Sequence, residues 1–324
     1  MKALLCRSFA PLDELSVGDV PDPVAGAGQV LIDVRAASVN YPDALMVQGK
    51  YQVRPPLPFV AGGELAGTIR AVGDGVKHLQ PGMPVVALTM TGAFAEQAVA
   101  DARLVLPLDP AVDLGSAAAM PMTYGTMHHA LSDRAQLRAG ETLLVLGAGG
   151  GIGTATIELG KIAGATVIAA ASSAEKLVAA KQCGADHLID YTQEDLRARL
   201  KEITGDKGVD VVCDPVGGSY TEAALRSTGW RGRYLVIGFA AGEIPKIALN
   251  LVLLKGCSIV GVFWGDFMRR EPQQGAKQLL QLATWLREGR IHPLISARYP
   301  LAEGREALRH VFERRAIGKV LVVP

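Results

Sequence analysis

A run of glycines between an apolar strand and a helix is the feature that most restricts how this chain can fold. Residues 144–154 read LVLGAGGGIGT, and Ala148, Gly150 and Gly153 within them fit A-x-G-x-x-G, a variant of the dinucleotide fingerprint whose first glycine is replaced. Glycines let the main chain turn tightly and approach a pyrophosphate, which the free N–H groups at the start of the helix can hold. Because the motif follows a strand and opens a helix, it predicts a dinucleotide-binding βαβ unit rather than a purely structural turn.

The chain after about residue 122 alternates short apolar strands with helices. Strands that are apolar on both faces are typical of a parallel sheet covered by helices, and right-handed crossovers then give a doubly wound α/β domain. The predicted strands are Thr142–Leu146, Thr166–Ala171, His187–Ile189, Val209–Cys213, Tyr234–Ile237 and Ser258–Val262, with a helix over Ala174–Cys183.

The first 120 or so residues have a different character, with short β-like runs separated by Pro and Gly. This pattern predicts a small, curled, mainly antiparallel β domain. Strands are predicted at Gln29–Val34, Leu65–Val72 and Pro84–Leu88 in this part, and the tail adds helices over Gln278–Gly289 and Ala302–Arg314 and a strand over Gly318–Val323. We expect the tail to return to the first domain, so that residues 1–121 and 264–324 form the β domain and residues 122–263 the dinucleotide-binding domain.

The end of the strand after the glycine loop indicates which dinucleotide is bound. Proteins that bind NAD usually place an acid about 20 residues after the loop, where it holds a ribose hydroxyl. Here that position is Ala171, followed by Ser172, Ser173 and, one turn later, Lys176. Hydroxyls and an ammonium can receive the 2′-phosphate of NADPH, although Lys176 could also simply lie on a solvated helix face. The absent acid favours NADPH as the cofactor.

The balance of charge argues against nucleic acid and membrane partners. The 324 residues include 33 basic and 32 acidic side chains, a formal net charge of +1. No apolar run reaches the roughly 18 residues that a membrane span needs. Four isolated cysteines, Cys6, Cys183, Cys213 and Cys257, indicate neither a disulfide framework nor a structural metal site. We expect a cytoplasmic protein whose partners are small molecules or copies of itself.

Several short motifs follow one another in a distinctive order and spacing: ASVNYPD at 37–43, PFVAGGELAG at 58–67, VGDGV at 72–76, the glycine loop, IDY at 189–191, DPVGG at 214–218 and GKV at 318–320. Together they resemble the medium-chain dehydrogenase/reductase superfamily and, within it, the zinc-free quinone oxidoreductase group. The resemblance covers nearly the whole chain. It implies a GroES-like β domain joined to a Rossmann domain, an active site in the cleft between them, and a homodimer formed through the sheet edge near residues 258–262.

Departures from the zinc-dependent branch of that superfamily predict a site without metal. The branch's cysteine ligand is missing beside Asn40, its histidine is replaced by Gly63, and residues 120–122 offer no good ligand for Zn²⁺. No cysteine lies between residues 6 and 183, so the four-cysteine structural lobe is also missing. A catalytic Zn²⁺ needs about three protein ligands, and the adjacent His128 and His129 do not have the spacing of a shared site.

Without a metal, hydride transfer needs an acceptor that is already electron-poor. A quinone or an α,β-unsaturated carbonyl spreads the incoming charge onto an oxygen, while the protein supplies orientation and hydrogen-bond donors. By the resemblance, Asn40 lies beside the nicotinamide, where its amide orients the acceptor carbonyl. Alternatively Asn40 only ties its own loop, a structural role that we also expect for Asp43.

Aromatic side chains are the remaining candidates for the substrate site. Tyr51, in the passage QGKY at 48–51, resembles the catalytic tyrosine of the related enoyl thioester reductases. Its phenol either donates a hydrogen bond or proton to the developing enolate or forms an aromatic wall. Tyr124, Phe263 and Trp264 either line the pocket or belong to the core. The cofactor contacts implied by the resemblance are Thr123, Gly149, Gly150, Gly151, Ile152, Ser172, Ser173, Lys176, Tyr191, Gly238, Phe239 and Lys319.

Three functions therefore follow from the sequence. The first is an NADPH-dependent oxidoreductase that reduces a quinone without zinc. The second, which Tyr51 favours, is an NADPH-dependent reductase of enones or enoyl thioesters. The third, from another class, is a catalytically idle NADPH-binding protein, because resemblance in fold does not guarantee turnover.

Overall fold

The chain divides into two compact units. The computed structural model describes residues 1–324. The first unit contains Met1–Met122 and Leu279–Pro324, and the second contains Thr123–Gln278. The tail thus returns to the first unit, at a point later than the predicted break before Trp264. The reason is local packing: a Cβ added to Gly125 would lie 2.5 Å from the Trp264 ring, so this indole sits directly on the second unit's own helix.

Sixteen strands and eleven α-helices make up the two units. The strands are β1 (Lys2–Cys6), β2 (Ser16–Asp19), β3 (Gln29–Val39), β4 (Phe59–Val60), β5 (Glu64–Val72), β6 (Pro84–Leu88), β7 (Gln97–Asp101), β8 (Val105–Pro107), β9 (Thr142–Leu146), β10 (Thr166–Ala171), β11 (His187–Asp190), β12 (Val209–Asp214), β13 (Thr228–Val236), β14 (Ser258–Gly261), β15 (Ile295–Pro300) and β16 (Lys319–Val323). The helices are α1 (Tyr41–Val47), α2 (Leu114–Ala118), α3 (Pro121–His128), α4 (Gly151–Ile162), α5 (Ala174–Gln182), α6 (Leu196–Thr204), α7 (Tyr220–Arg226), α8 (Asn250–Lys255), α9 (Trp264–Arg270), α10 (Pro272–Arg287) and α11 (Gly304–Phe312).

The first unit is built on β3. This 11-residue strand pairs antiparallel with β5, β7 and β16, within a sheet of order β15-β16-β3-β5-β6-β8. Alternate residues of β3 and its neighbours, such as Ile32, Leu65 and Val320, are fully buried and form one apolar core. Gly67 of β5 has to be a glycine, because a Cβ there would lie 2.1 Å from the Asp33 carbonyl oxygen. The sheet is mainly antiparallel, as predicted, with β15 and β16 as its one parallel pair.

The second unit is a doubly wound parallel sheet of order β11-β10-β9-β12-β13-β14. Its central strands have no polar face, since helices cover both sides; Leu144, Ile168 and Val212 are fully buried. β9 and β10 have the predicted bounds, whereas β13 begins at Thr228, before the predicted Tyr234. The predicted α/β fold with a doubly wound parallel sheet is confirmed.

The tail helices are displaced from their predicted bounds for local reasons. α10 begins at Pro272 rather than Gln278, because proline's fixed φ suits the first turn of a helix. It ends before Gly289, whose φ of +63° is left-handed. Among all eleven helices, none combines the length and the apolarity that crossing a bilayer would require.

Candidate functional site

Three neighbouring strands of the first unit place polar side chains on one face of the sheet. Ala37 pairs with Leu65 and Val39 with Val320. Because these strands are antiparallel, the neighbouring pairs are Ser38 with Glu64 and Asn40 with Lys319. Ser38 and Asn40 are two residues apart, so both pairs lie on the same face. All four are buried, at most 6% exposed. Burying charged groups is costly unless they are paired, so the charged side chains on this face require hydrogen-bond partners; the buried Ser38 Oγ has none.

Asn40, Asp43, Glu64 and Lys319 form a hydrogen-bond network, which we call the Asn40 cluster. Lys319 Nζ donates to Asn40 Oδ1 at 2.7 Å and to Glu64 Oε1 at 3.1 Å. Asn40 Nδ2 donates to Glu64 Oε1 at 2.7 Å, and Glu64 Oε2 accepts from the main-chain N–H of Met122 at 2.7 Å. The Asn40 amide is thereby fixed in one orientation, with its oxygen occupied.

Two residues predicted to contact substrate or cofactor thus lie in one buried cluster. Asn40 Nδ2 has one further contact, a long 3.4 Å hydrogen bond to the Ser38 carbonyl, so the amide nitrogen retains some donor capacity. Lys319 is 3% exposed and holds Asn40 and Glu64. Glu64 is central to this cluster, although the sequence analysis does not name it as a site residue. The signal that could have found it is its position in the motif PFVAGGELAG.

Asp43 lies in the first turn of α1 and is 4% exposed. Its Oδ2 accepts the main-chain N–H of Asn40 at 2.8 Å, so it holds the loop as expected. Burial, reinforced by the nearby charge of Glu64, raises the pKa of Asp43 to about 7, although the Asn40 N–H and the Lys319 ammonium oppose the shift. This carboxyl therefore changes its protonation state near neutral pH.

Tyr51 follows α1 after a reversal of the chain. Gly49, with a φ of +66°, donates its N–H to the Met46 carbonyl, and Lys50 donates to Leu45, which ends the helix and turns the chain back. The Tyr51 ring is half-buried against the core of the first unit. Burial and then the charge of Asp43 raise the pKa of this phenol, so it keeps its proton at neutral pH.

The glycine loop of the second unit has the shape that a pyrophosphate requires. Gly147 has a φ of +60°, and a Cβ on Gly153 would lie 2.4 Å from the Gly147 carbonyl oxygen, so both positions demand glycine. α4 begins at Gly151 with Gly150 as its N-cap, which contributes no side-chain hydrogen bond. The first N–H groups of this 12-residue helix are thus not capped by a side chain and suit an anion.

The end of β10 carries the residues predicted to select the cofactor. Ala171 is fully buried, and Ser172 beside it is exposed. Ser173 is the N-cap of α5, where its Oγ accepts the Lys176 N–H at 3.4 Å. Lys176 stands against the glycine loop, since a Cβ on Gly149 would lie 2.4 Å from the Lys176 Cβ. Small hydroxyls and a lysine therefore lie close to the loop, and Ala171 occupies the position where an acid would hold the ribose.

Other predicted contacts lie around the carboxyl end of β12. Asp214 is buried there and accepts N–H groups of Val216 and Gly217 at 2.8 Å and the Tyr234 hydroxyl at 2.6 Å. These bonds shape the following loop, next to which Gly238 donates its N–H to the Asp214 carbonyl at 3.3 Å. Phe239 is partly exposed beside this loop, and Tyr191 packs on Tyr220 with ring centroids 4.2 Å apart.

The predicted pocket aromatics have three different environments. Tyr124 is 1% exposed and its hydroxyl donates to Glu158 at 2.7 Å, inside the second unit. Thr123 beside it is also buried. Phe263 is 55% exposed, whereas the Trp264 indole is buried and its Nε1 has no hydrogen-bond partner. Of the three aromatics, Phe263 presents the most surface to a ligand.

The residues at the zinc position of the superfamily are poor metal donors. Gly63 offers no side chain, and its space is bounded by the Thr89 carbonyl oxygen and Asp43 Oδ1. Cys6, Cys183, Cys213 and Cys257 are free thiols. No group of three or more His, Cys, Asp or Glu side chains comes together in a metal-binding arrangement.

Comparisons with known proteins give matches in both parts of the chain. The chain matches the alcohol dehydrogenase GroES-like domain over residues 26–110 and the zinc-binding dehydrogenase family over residues 151–284. It is 36% identical to mouse quinone oxidoreductase-like protein 2 over 322 residues, 99% of this chain and 91% of the relative. A mycobacterial protein complexed with NADPH is similar at 30% identity with a TM-score of 0.93, covering 100% of both chains. Escherichia coli quinone oxidoreductase complexed with NADPH is similar at 26% identity with a TM-score of 0.92, again over 100% of both chains.

The raised pKa of Asp43 predicts a pH-dependent stability. The folded chain binds a proton that the unfolded chain has lost between about pH 4 and pH 7, so the free energy of unfolding should fall as pH rises through this window. The fall attributable to Asp43 is at most about 4 kcal/mol. In Asp43→Asn the amide oxygen can still accept the Asn40 N–H, but no proton is bound. The fall in the free energy of unfolding with pH should therefore be lost, as measured by urea titrations at several pH values. The exposed Asp74→Asn is the control, and an unchanged pH dependence in Asp43→Asn would contradict the assignment.

Proposed function

The chain belongs to the medium-chain dehydrogenase/reductase family, in its quinone oxidoreductase group, and from this premise we propose that it transfers hydride from NADPH to a quinone without zinc. The observation that carries the proposal is the closed Asn40 cluster beside Gly63. Where the zinc branch needs metal ligands, this chain has a glycine and polar atoms already bonded to one another. We therefore propose an acceptor that is electrophilic by its own conjugation.

The NADPH half of the proposal is supported by the second unit. The Gly149, Gly150, Gly151 and Ile152 main chain surrounds the uncapped start of α4, where a pyrophosphate would be held. Ser172, Ser173 and Lys176 would receive the 2′-phosphate, and the buried Ala171 presents no carboxylate to repel it. Thr123, Tyr191, Gly238, Phe239 and Lys319 complete the proposed set; Lys319 would act indirectly, since it is held by Asn40 and Glu64.

The first unit's residues orient the acceptor and supply its proton. Bound NADPH supplies the hydride. Asn40 is proposed to act as a donor through Nδ2, because its Oδ1 already accepts from Lys319 and a donor suits the oxygen on which negative charge develops. The Tyr51 phenol keeps its proton at neutral pH and is the proposed acid for that oxygen. In the second unit, considered by itself, the exposed ring of Phe263 is a proposed contact for a planar ligand.

A second candidate is the reduction of enones or enoyl thioesters. The protonated state of Tyr51 favours it, because adding hydride to the β-carbon of an enone creates an enolate that an acid must quench. The fold and the hydride donor are the same in both functions, so only the acceptor distinguishes them.

The acceptor is tested by measuring NADPH oxidation with benzoquinone, cyclohexenone and crotonyl-CoA in turn. We expect benzoquinone to give the highest kcat/KM, no turnover of a simple alcohol with NADP⁺, and the same rates after treatment with EDTA. Preference for either enone-type acceptor would replace the first candidate by the second. Tight NADPH binding without turnover of any acceptor would indicate the catalytically idle protein, and stoichiometric zinc by mass spectrometry would refute zinc independence.

Cofactor preference should depend on Lys176. Lys176→Met removes the ammonium that would pair with the 2′-phosphate, so we expect its KM for NADPH to rise about 10- to 100-fold while the KM for NADH is unchanged. Lys181→Met makes the same change of charge further along α5, where Lys181 Nζ donates to the Ala185 carbonyl, and serves as the control. Equal effects of both substitutions on NADPH would argue against a 2′-phosphate site at Lys176.

The exposed edge of the second sheet supports a homodimer. β14 pairs only with β13, so its other edge leaves main-chain groups unpaired. Ile259 is 38% exposed there, and the neighbouring α8 region exposes Leu249, Leu253 and Leu254 by more than 70% each. An apolar patch beside an open strand edge suits a two-fold pairing of identical strands.

Charge placed on this edge should separate the proposed dimer. In Ile259→Lys the two new ammonium groups approach each other across the two-fold axis, so we expect light scattering after gel filtration to give half the wild-type mass. Leu280→Lys introduces the same charge at an exposed leucine of α10 and should leave the mass unchanged. A wild-type monomer would refute the proposed dimer outright.

A further inference from the structure

The carboxylate of Asp214 joins a loop of the second unit to the framework around it. Asp214 is the last residue of β12 and is 3% exposed. Its Oδ1 accepts the N–H groups of Val216 and Gly217, both at 2.8 Å, in the loop that follows the strand. Its Oδ2 accepts the hydroxyls of Thr221 in α7 at 3.0 Å and Tyr234 in β13 at 2.6 Å. One oxygen thus holds the loop, and the other is fixed to a helix and a strand.

Residues 215–218, which we call the Asp214 loop, lie directly against the glycine loop. A Cβ added to Gly147 would be 2.8 Å from Val216 Cγ2, so the valine side chain occupies the space that this glycine leaves free. β9 and β12 are parallel neighbours, and the two loops that follow them therefore lie side by side. The glycine loop has its own attachment, because Ala148 donates its N–H to the Ala170 carbonyl at 3.0 Å. Releasing the Asp214 loop should therefore leave the glycine loop in place.

The Asp214 loop in turn supports residues 237–242, the loop after β13. Ala241 donates its N–H to the Val216 carbonyl at 2.8 Å. A Cβ on Gly217 would lie 3.0 Å from Phe239 Cδ1, so the aromatic ring packs directly on the Asp214 loop. The position of Phe239, one of the proposed cofactor contacts, therefore depends on that loop.

The order of the strands puts both of these loops on one side of the glycine loop. β9 lies between β10 and β12, and β13 lies beyond β12. Ser172, Ser173 and Lys176, which would receive the 2′-phosphate, follow β10 and so lie on the other side. A dinucleotide bound at the start of α4 by its pyrophosphate extends in both directions across the carboxyl ends of the strands. With the adenosine half toward β10, the loops after β12 and β13 would hold the nicotinamide half.

We propose that Asp214 is a positioning residue for the nicotinamide half of NADPH. Its carboxylate fixes the Asp214 loop, and through that loop Phe239, at the side of the dinucleotide site where hydride would leave. The role is indirect, because the buried carboxylate already accepts four hydrogen bonds from the protein itself. The inference rests on the proposed function and deepens it.

Two substitutions of Asp214 separate its hydrogen bonds from its charge. In Asp214→Asn the amide oxygen can accept both loop N–H groups, while the amide nitrogen donates to the hydroxyls of Thr221 and Tyr234, which can rotate to accept. The loop should therefore stay in place. Asp214→Ala removes both oxygens and releases the loop from the framework.

Binding measurements test the positioning without turnover. Calorimetry gives the dissociation constants of NADPH and of adenosine 2′,5′-bisphosphate, which contains only the adenosine half. In Asp214→Ala we expect the Kd of NADPH to rise about tenfold and that of the bisphosphate to stay unchanged. In Asp214→Asn both constants should equal those of the wild type. An equal rise for the two ligands in Asp214→Ala, or no rise for either, would overturn the proposal.

Tyr234→Phe is the control for a loss of stability alone. It removes one hydrogen bond from Oδ2 but leaves both loop N–H groups on Oδ1, so it should lower the melting temperature without changing either Kd. Should Asp214→Ala fail to fold, Asp214→Ser decides in its place. Its hydroxyl can accept a loop N–H but leaves no second oxygen for Thr221 and Tyr234. The Kd of NADPH should again rise selectively, and an unchanged value would count against the proposal.

Turnover measures whether this position matters for the reduction. With saturating NADPH and benzoquinone, kcat of Asp214→Ala should fall about tenfold or more, because a small misplacement of a reacting group is costly in rate. Asp214→Asn and Tyr234→Phe should keep the wild-type kcat. An unchanged kcat in Asp214→Ala would refute a role in the reduction. A wild type that reduces no acceptor would instead refute the proposed function, while the two dissociation constants still decide whether Asp214 positions the nicotinamide half.

Discussion

The buried ion pair between Lys319 and Glu64 is the interaction on which the first unit depends. The pair joins β16, at the end of the chain, to β5, which lies in the first quarter of the chain. Asn40, which follows β3, bonds to both partners. Removing one partner of such a pair would leave an uncompensated buried charge at a cost of about 3–5 kcal/mol. The pair adds to the strand pairing and apolar burial of β16, because without β16 Glu64 and Asn40 would lose their shared donor.

The second unit depends instead on main-chain geometry. Its loop needs glycine at Gly147 for a left-handed turn and at Gly153 because a side chain would strike the Gly147 carbonyl. Asp214 fixes the loop after the neighbouring strand, because its carboxylate accepts two N–H groups and the hydroxyl of a tyrosine. The candidate site of the first unit thus consists of charged side chains. That of the second unit consists mainly of main-chain N–H groups, in loops that glycines and Asp214 shape.

The parts of the molecule that sequence could predict are those governed by local pattern. β9 and β10 have their predicted bounds because they are short apolar runs ended by glycine and by a serine cap. The Asn40 cluster could not be predicted in the same way, since Asn40 and Lys319 are 279 residues apart and meet only through the register of β3 and β16. Tyr124 shows the same limit: a lone aromatic residue gives no sign that its hydroxyl will meet Glu158 in the interior.

The closed cluster also bears on which acceptors the proposed chemistry can reach. Because Lys319 forms its ion pair with Glu64, the Asn40 cluster holds no cation without a carboxylate partner. What it retains is a donor on Asn40, a protonated phenol and a carboxyl that titrates near neutrality. In the proposed function, such a site would remove charge by delivering a proton rather than by opposing it with a fixed positive charge. An acceptor that delocalises the incoming charge by conjugation makes the smallest demand on those donors.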